Sequence, residues 1–403
     1  MKIVREKYTQ KEFLLVALLV LVSGSPNLNI PIVFGMLGVF AFVYSFIRGD
    51  LKRRNKLWKY VLFLSLIFVG QYIELGFISY LGSINVIAKL VFGATVMWVL
   101  RDRFRGIFLN VMYFFALVSL IFFCLEFVGI KVPDLFHVAP NRNSIFIFSS
   151  LNNIDKLRNC GPFWEPGAFA CYLILVPLLY VDNLKSFILN NGKKVITLFI
   201  ALITTISTTG YICLFAIILY YFMAESKNKF ITYFVYLPFA LVGIFYAYSK
   251  LDFMSSKIEE QAEASIEKEG DFSNTRMGSL LFDLYYIEKH PFTGNGLHEQ
   301  TRYADHPMLW GKNLGHGNAF SNYAAQMGII ALFVYFILIY RAFNNKIIVP
   351  IIIILLFQGE QLMDYPLFPA LPFIVLPLNK KITLPKKMLK HEKCCNSNYS
   401  IQS

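Results

Sequence analysis

Apolar runs of roughly membrane-spanning length follow one another along this chain, separated by polar loops. A helix crossing the hydrocarbon core of a bilayer needs roughly 17 to 25 mostly apolar residues, fewer where a span is broken. Runs of that kind occupy residues 13–22, 30–47, 58–72, 84–100, 107–128, 163–181, 195–207, 211–223, 230–248, 319–340, 347–357 and 367–378. Inside lipid the backbone polar groups must be satisfied within each segment, so such runs fold as helices. The pattern predicts an all-α integral membrane protein of about twelve transmembrane helices, with residues 1–403 forming a single polytopic membrane domain. Composition agrees: 56% of the 403 residues are hydrophobic and 16% are charged, against about a quarter charged in soluble domains.

The distribution of Lys and Arg supplies the orientation. Basic loops at the N-terminus, 48–59, 101–105, 185–194, 227–229, 341–346 and the tail from residue 380 alternate with neutral or mixed loops at 23–29, 73–83, 129–162, 208–210, 250–318 and 358–366. Cytoplasmic loops hold the excess of positive charge, so both termini are expected in the cytoplasm and 380–403 is a cytoplasmic tail. The net charge of +13 is used up in these topology signals, and no nucleic-acid partner is implied. Residues 2–22 look like the charged and apolar parts of a signal peptide. However, Ser23-Gly24-Ser25-Pro26 is a poor cleavage site and a second apolar run follows at once, so a retained hairpin of spans is expected. Cys124, Cys171 and Cys213 lie in apolar runs, Cys160 stands alone in a loop and Cys394 and Cys395 adjoin in the tail, which gives no disulfide or zinc framework.

Two outer loops are long enough to be functional, 129–162 and 250–318. The first ends in Arg158-Asn-Cys-Gly-Pro-Phe-Trp164-Glu165-Pro166-Gly167. An Arg and a Glu at the mouth of an apolar segment are costly unless partnered, which makes them a candidate site; the competing reading is an interfacial turn anchored by Trp164. The second loop opens with an acidic, helix-favouring stretch at 258–269. It continues with apolar residues at helical spacing over 274–287, an expected interfacial helix with Arg276 near its start. That helix should stop at His290-Pro291, and Gly294-Asn-Gly296 should turn. His290, His298, His306 and His316 share this loop without any ligand spacing, so no metal is expected. His290 is expected to bond its own backbone and His298 and His306 to be solvated. His316, ahead of Gly317-Asn318, should stand at the membrane mouth in the layer of Glu165. Glu74, Glu126, Glu360 and Asp364 fall towards the same layer; singly each reads as an interfacial residue, together they make the outer face the ionisable one.

Two arginines, a carboxylate and an imidazole suit transfer from a diphosphate. Guanidinium forks bind its oxygens bidentately, and a carboxylate or neutral His takes the proton from an attacking hydroxyl, worth typically ~100- to 10,000-fold. No glycine-rich nucleotide loop and no Asp-x-Asp pair is present, so no cofactor is implied.

Arg158-x-x-Gly161, Trp164-Glu165-Pro166-Gly167, Arg276 with its helix running to His290-Pro291-x-x-Gly294-x-Gly296, and His316-Gly-Asn318 leading into Gln326-Met-Gly328 together resemble the O-antigen polymerase and ligase superfamily, most closely Wzy-type polysaccharide repeat-unit polymerases. The resemblance implies a bacterial inner-membrane enzyme that joins sugar chains carried on undecaprenyl diphosphate, without metal or cofactor. It also implies membrane lipid, a flippase and a chain-length regulator as partners. Arg158, Arg276, Glu165 and His316 would be catalytic, and Trp164, Tyr285 and Asn318 would join the two arginines in binding substrate. Ligases of the superfamily often carry Ser-Arg-Gly between the seventh and eighth spans, where this chain has Ser207-Thr208-Thr209-Gly210; whether Glu165 or His316 is the base stays open. The alternatives are a ligase transferring polysaccharide to lipid A core and, from another class, a lipid-linked oligosaccharide flippase. A flippase should show internal repeats, midplane charges or broken helices, and none is clear in the sequence.

Overall fold

Residues 166–178 are apolar on every side, and a helix with no polar face must lie inside the assembly. The computed structural model, which describes residues 8–25, 28, 31–47, 55–135, 142–145, 147–153, 156–225, 276–311 and 317–376, places them as a central helix. Its elements are α1 (Gln10–Val22), α2 (Pro31–Ile47), α3 (Asn55–Leu75), α4 (Tyr80–Leu100), α5 (Phe104–Phe127), β1 (Arg142–Ile145), β2 (Phe148–Asn153), β3 (Lys156–Gly161), α6 (Pro166–Leu178), α7 (Leu184–Asn190), α8 (Gly192–Thr204), α9 (Thr208–Glu225), α10 (Arg276–Lys289), α11 (Glu299–Arg302), α12 (Ala319–Ala342), α13 (Ile348–Phe357) and α14 (Leu367–Ala370). All of α6 except Pro177 is buried, surrounded by α5, α8, α9 and β3. The N-terminal run belongs to the same core. Val16, Leu19 and Val20 of α1 are fully buried, and α1 packs on α4 and α5.

Among the described residues, three helical segments can by length and composition cross a membrane, Asn55–Leu75, Tyr80–Phe127 and Ala319–Ala342. A fourth is gained if Pro166–Leu178 and Val181–Asn190, bent by 44°, form one span. The Tyr80–Phe127 segment is two helices, α4 and α5, because the chain turns at Arg101 with φ 49°. The expected second, eighth and eleventh spans are shorter apolar helices, and the ninth, 230–248, lies outside the described residues, as do the acidic stretch 258–269 and the tail. The expected twelfth span is not one helix. Pro366, Pro369 and Pro372 each remove a backbone donor, leaving the four-residue α14 and a 3-10 turn at Leu371–Phe373.

The all-α expectation also needs correction in the first outer loop, where β1, β2 and β3 form an antiparallel sheet in that order. Its strands were hidden in a stretch rich in Ser and Asn, which carries little β-propensity of its own.

The described part of the second outer loop, 276–311, is docked on the helices. α10 buries Ser279, Phe282, Asp283 and Tyr286 against α12 and leaves Leu281, Leu284 and Tyr285 exposed. The expected interfacial helix is therefore one-sided, with one face held by the bundle. Asp283 and Arg302 form an ion pair that is almost wholly buried, joined by Ser321 and Asn322 of α12.

At Gly328, α12 is broken, with φ 83° and ψ 159°. A break in a helix frees carbonyls and amides that must find other partners. The chain after α10 supplies them. Asn295 and Gly296 donate backbone N–H to Ala325 O (2.8 Å) and Gln326 O (3.1 Å), and Ile329 N–H donates to Pro291 O at 2.8 Å. Gln71 of α3 adds its amide to Thr293 O and Gln326 O at 2.7 and 2.8 Å. The His290-Pro291-x-x-Gly294-x-Gly296 and Gln326-Met-Gly328 motifs are thus two halves of one contact. A Cβ at Gly328 would stand 2.0 Å from the backbone oxygen of Phe292. Gly328→Ala is accordingly expected to cost about 2–5 kcal/mol through left-handed strain and overpacking, read as a lowered unfolding midpoint of the purified protein.

Candidate functional site

The sheet sets two arginines in one row. Leu151 of β2 pairs with Arg142 of β1 on one side and with Arg158 of β3 on the other, and directly opposed residues share a face. Asn159, the next residue along β3, is fully buried. Its amide bonds Ser119 of α5 at 3.1 Å and Thr204 of α8 at 3.0 Å, which fixes the strand on the bundle. Arg158 then donates Nε to Thr205 O at 3.1 Å and a terminal nitrogen to Ile206 O at 2.9 Å. These carbonyls belong to the turn between α8 and α9, where helix-end carbonyls are free and carry the negative end of the helix dipole.

Arg276, the first residue of α10, approaches the same turn and donates to Thr209 Oγ1 at 3.1 Å. Its other terminal nitrogen stands 3.8 Å from Glu360 Oε1. Burial draws Arg158 below its ordinary pKa and the neighbouring Arg276 pulls the same way, while Glu165 and Glu360 oppose both. The two arginines from the two outer loops therefore feel one electrostatic environment. Burial also pushes the Cys160 thiol up to about 12, so this cysteine is neutral and no nucleophile.

Both carboxylates stand at the N-terminus of α6. Glu165 is its N-cap residue and Pro166 opens the helix, a position where no donor is lost. The Glu165 side chain makes no capping bond; it is 49% exposed and lies 3.4 Å from Arg142, which also donates to Trp164 O. Glu360 is buried, 6% exposed, and rests on the first turn of α6, where a Cβ on Gly167 would come 1.9 Å from Glu360 Oε1. Gly167→Ala would displace that carboxylate from Arg276 without disturbing a helical backbone. The expected result is a loss of activity of roughly ten- to a hundredfold from misplacement, with the melting temperature little changed. Trp164 closes one side by stacking on Tyr365 at 4.4 Å.

Residues 195–336, which contain the α8–α9 turn, α10 and most of α12, match the family described as O-antigen ligase. The chain carries a domain of the O-antigen polymerase and ligase superfamily. No curated protein matches the chain. The superfamily comprises membrane glycosyltransferase-like enzymes of polysaccharide assembly acting on lipid-linked chains, and the match is common to polymerases and ligases. The match and the apolar helices together fit a multi-pass protein of a bacterial inner membrane.

The O-antigen ligase match begins at α8 and so leaves Arg158 and Glu165 outside it, although the geometry joins them to Arg276 inside it. Of the other residues expected at the site, Asn318 caps α12 by accepting from Ser321 N at 3.1 Å. Tyr285 lies on the exposed face of α10 and bonds Asp305 at 3.0 Å. His316 lies outside the described residues; its neighbour Gly317 rests against Arg276, whose Cα is 3.3 Å from where a Cβ on Gly317 would stand. His290 does not cap with its ring, which contacts Glu74 of α3 at 2.7 Å. His298 and His306 are not merely solvated. His298 accepts from Gln300 N and packs on Phe77, and His306 bonds Tyr286 Oη at 2.7 Å. Glu126 accepts from Asn143 at 2.9 Å.

Arg142, Thr209 and Glu360 are the site residues that the sequence reading left unassigned. The only signal for Arg142 was its place in the loop that ends at Glu165. Glu360 was visible as an acid of the outer layer, and its partner was not.

Proposed function

We propose that this superfamily protein is a polymerase of polysaccharide repeat units, joining undecaprenyl-diphosphate-linked oligosaccharides at the outer face of the bacterial inner membrane. The observation that carries the reading is the convergence of Arg158 and Arg276 on the turn between α8 and α9, at Thr205, Ile206 and Thr209, beside Glu165 and Glu360. Two guanidinium groups from separate loops form a clamp for the diphosphate of a lipid carrier.

The terminal hydroxyl of one lipid-linked unit attacks the anomeric carbon of the growing chain. The bond from that carbon to the diphosphate oxygen breaks, and undecaprenyl diphosphate leaves with the bonding pair, its charge held by Arg158 and Arg276. The hydroxyl proton passes to a base. Glu165 is committed to Arg142 and the α6 N-terminus, which suits it to orienting the guanidinium row, so the proton is assigned to His316. Trp164, Tyr285 and Asn318 are assigned as sugar and lipid contacts. Glu165→Gln should then lower the rate and keep a pH profile set by an imidazole, whereas His316→Ala should remove the rate and the profile together.

The second reading, a ligase moving finished polysaccharide to lipid A core, is favoured by the description of the matched family. A deletion strain separates the two. Single repeat units on the core are expected after loss of a polymerase, and an unsubstituted core after loss of a ligase.

A further inference from the structure

At the end of the helix bundle remote from the arginine cluster, α3, α4, α12 and the 3-10 turn after α14 enclose a cavity of about 790 Å³. α12 leads from one end to the other. It begins beside Gly317 and Arg276 and runs through the break at Gly328 before Arg341 reaches the cavity. The walls are apolar and aromatic, with Phe63, Trp98 and Phe373 among them. The mouth is basic. Lys56 and Lys59 enter from the first turns of α3 and Arg341 from the last turn of α12, all three exposed. Arg101 stands over the Trp98 ring at 5.1 Å and adds a fourth cation.

None of the ion pairs among the described residues engages Lys56, Lys59 or Arg341. Cations gathered at one mouth repel one another, and an anion between them removes that repulsion. The volume falls in the range of ligand cavities and the lining has their pattern, an apolar body with a few placed polar groups. A free inorganic anion would satisfy the mouth and leave the aromatic walls wet. The Lys-rich segment 380–393 follows the cavity in the chain, but its charge has the sign of the mouth.

We propose that this cavity is a binding site for an anionic glycerophospholipid of the cytoplasmic leaflet, its phosphate between Lys56, Lys59 and Arg341 and an acyl chain along Phe63, Trp98 and Phe373. Basic pockets between helices on the cytoplasmic side are suited to such headgroups. The site stands apart from the diphosphate clamp and does not rest on the glycosyl-transfer reading.

The test is native mass spectrometry of the full chain, purified in mild detergent and delipidated, titrated with phosphatidylglycerol and separately with phosphatidylcholine. The wild type is expected to take up phosphatidylglycerol preferentially. In Lys56→Gln/Lys59→Gln/Arg341→Gln the phosphatidylglycerol affinity should fall about a hundredfold, at about fivefold per cation, to the level of phosphatidylcholine. A control triple, Lys11→Gln/Lys193→Gln/Lys346→Gln, removes the same charge elsewhere and should leave the affinity unchanged. Equal binding of the two lipids by the wild type, retained phosphatidylglycerol affinity in the first triple variant, or displacement of the lipid by inorganic phosphate would each overturn the proposal.

Discussion

Arg276→Gln is expected to lower polymer formation by about 100- to 1,000-fold, the range for removing one preorganised donor from a transition-state charge site. The wild-type guanidinium already has both its neighbours in place, Thr209 at 3.1 Å and Glu360 at 3.8 Å, so it needs no reorganisation when diphosphate charge develops. Gln keeps part of the side-chain volume and can still reach Thr209, which limits any structural effect. The loss should therefore appear in kcat with expression and melting temperature preserved. Lys is expected to rescue little, because a point charge cannot reproduce the fork that holds a diphosphate. Assay of wild type, Arg276→Gln and Arg276→Lys on one lipid-linked substrate provides the measurement. Full-length polymer at the wild-type rate from the Gln variant would remove Arg276 from the mechanism.

The second large effect concerns stability. Asp283→Ala should destabilise the protein by about 3–5 kcal/mol, because it leaves a charge buried without its partner. Arg302 is 2% exposed and Asp283 fully buried, and two of the Arg302 nitrogens find no partner among the described residues. Its guanidinium also lies over the rings of Tyr286 and Tyr303 at 5.2 and 4.9 Å. Removing the carboxylate leaves it with the neutral Asn322 Oδ1 at 3.3 Å and with aromatic rings that cannot accept a strong hydrogen bond. The double change Asp283→Leu/Arg302→Met removes both charges and should recover most of the loss. Thermal unfolding of the wild type and the two variants in the same detergent checks this, and equal melting of wild type and Asp283→Ala would show that water reaches the pair.

The sequence made the helical character and the outer-loop arginines legible because both are signals of single segments. Apolar length marks α3, α4, α5 and α12, and helical spacing marks α10 to within two or three residues of its bounds. Pro166 at the start of α6 placed Glu165 at an exposed helix end, which the geometry repeats. What stayed hidden depends on pairing across the chain. Arg142 joins Arg158 only through the register around Leu151, and Ser and Asn in the strands gave no β pattern. Glu360 reaches Arg276 across more than eighty residues of chain, and Gly167 is small because Glu360 rests on it. The glycine motifs of the second loop read as a turn, and their use, closing the break at Gly328, needed the partner helix. His290 followed the same logic, since its ring found Glu74 on α3 rather than its own backbone.

The most direct test of the account is reconstitution of the purified protein with a synthetic undecaprenyl-diphosphate-linked repeat unit as sole substrate, followed by separation of the products by size. The account predicts a ladder of lipid-linked polymer, with undecaprenyl diphosphate released for each bond formed and the ladder lost in Arg158→Gln and Arg276→Gln. Unreacted repeat units under these conditions, together with transfer of preformed polysaccharide once lipid A core is added, would contradict it and assign the arginine cluster to ligation.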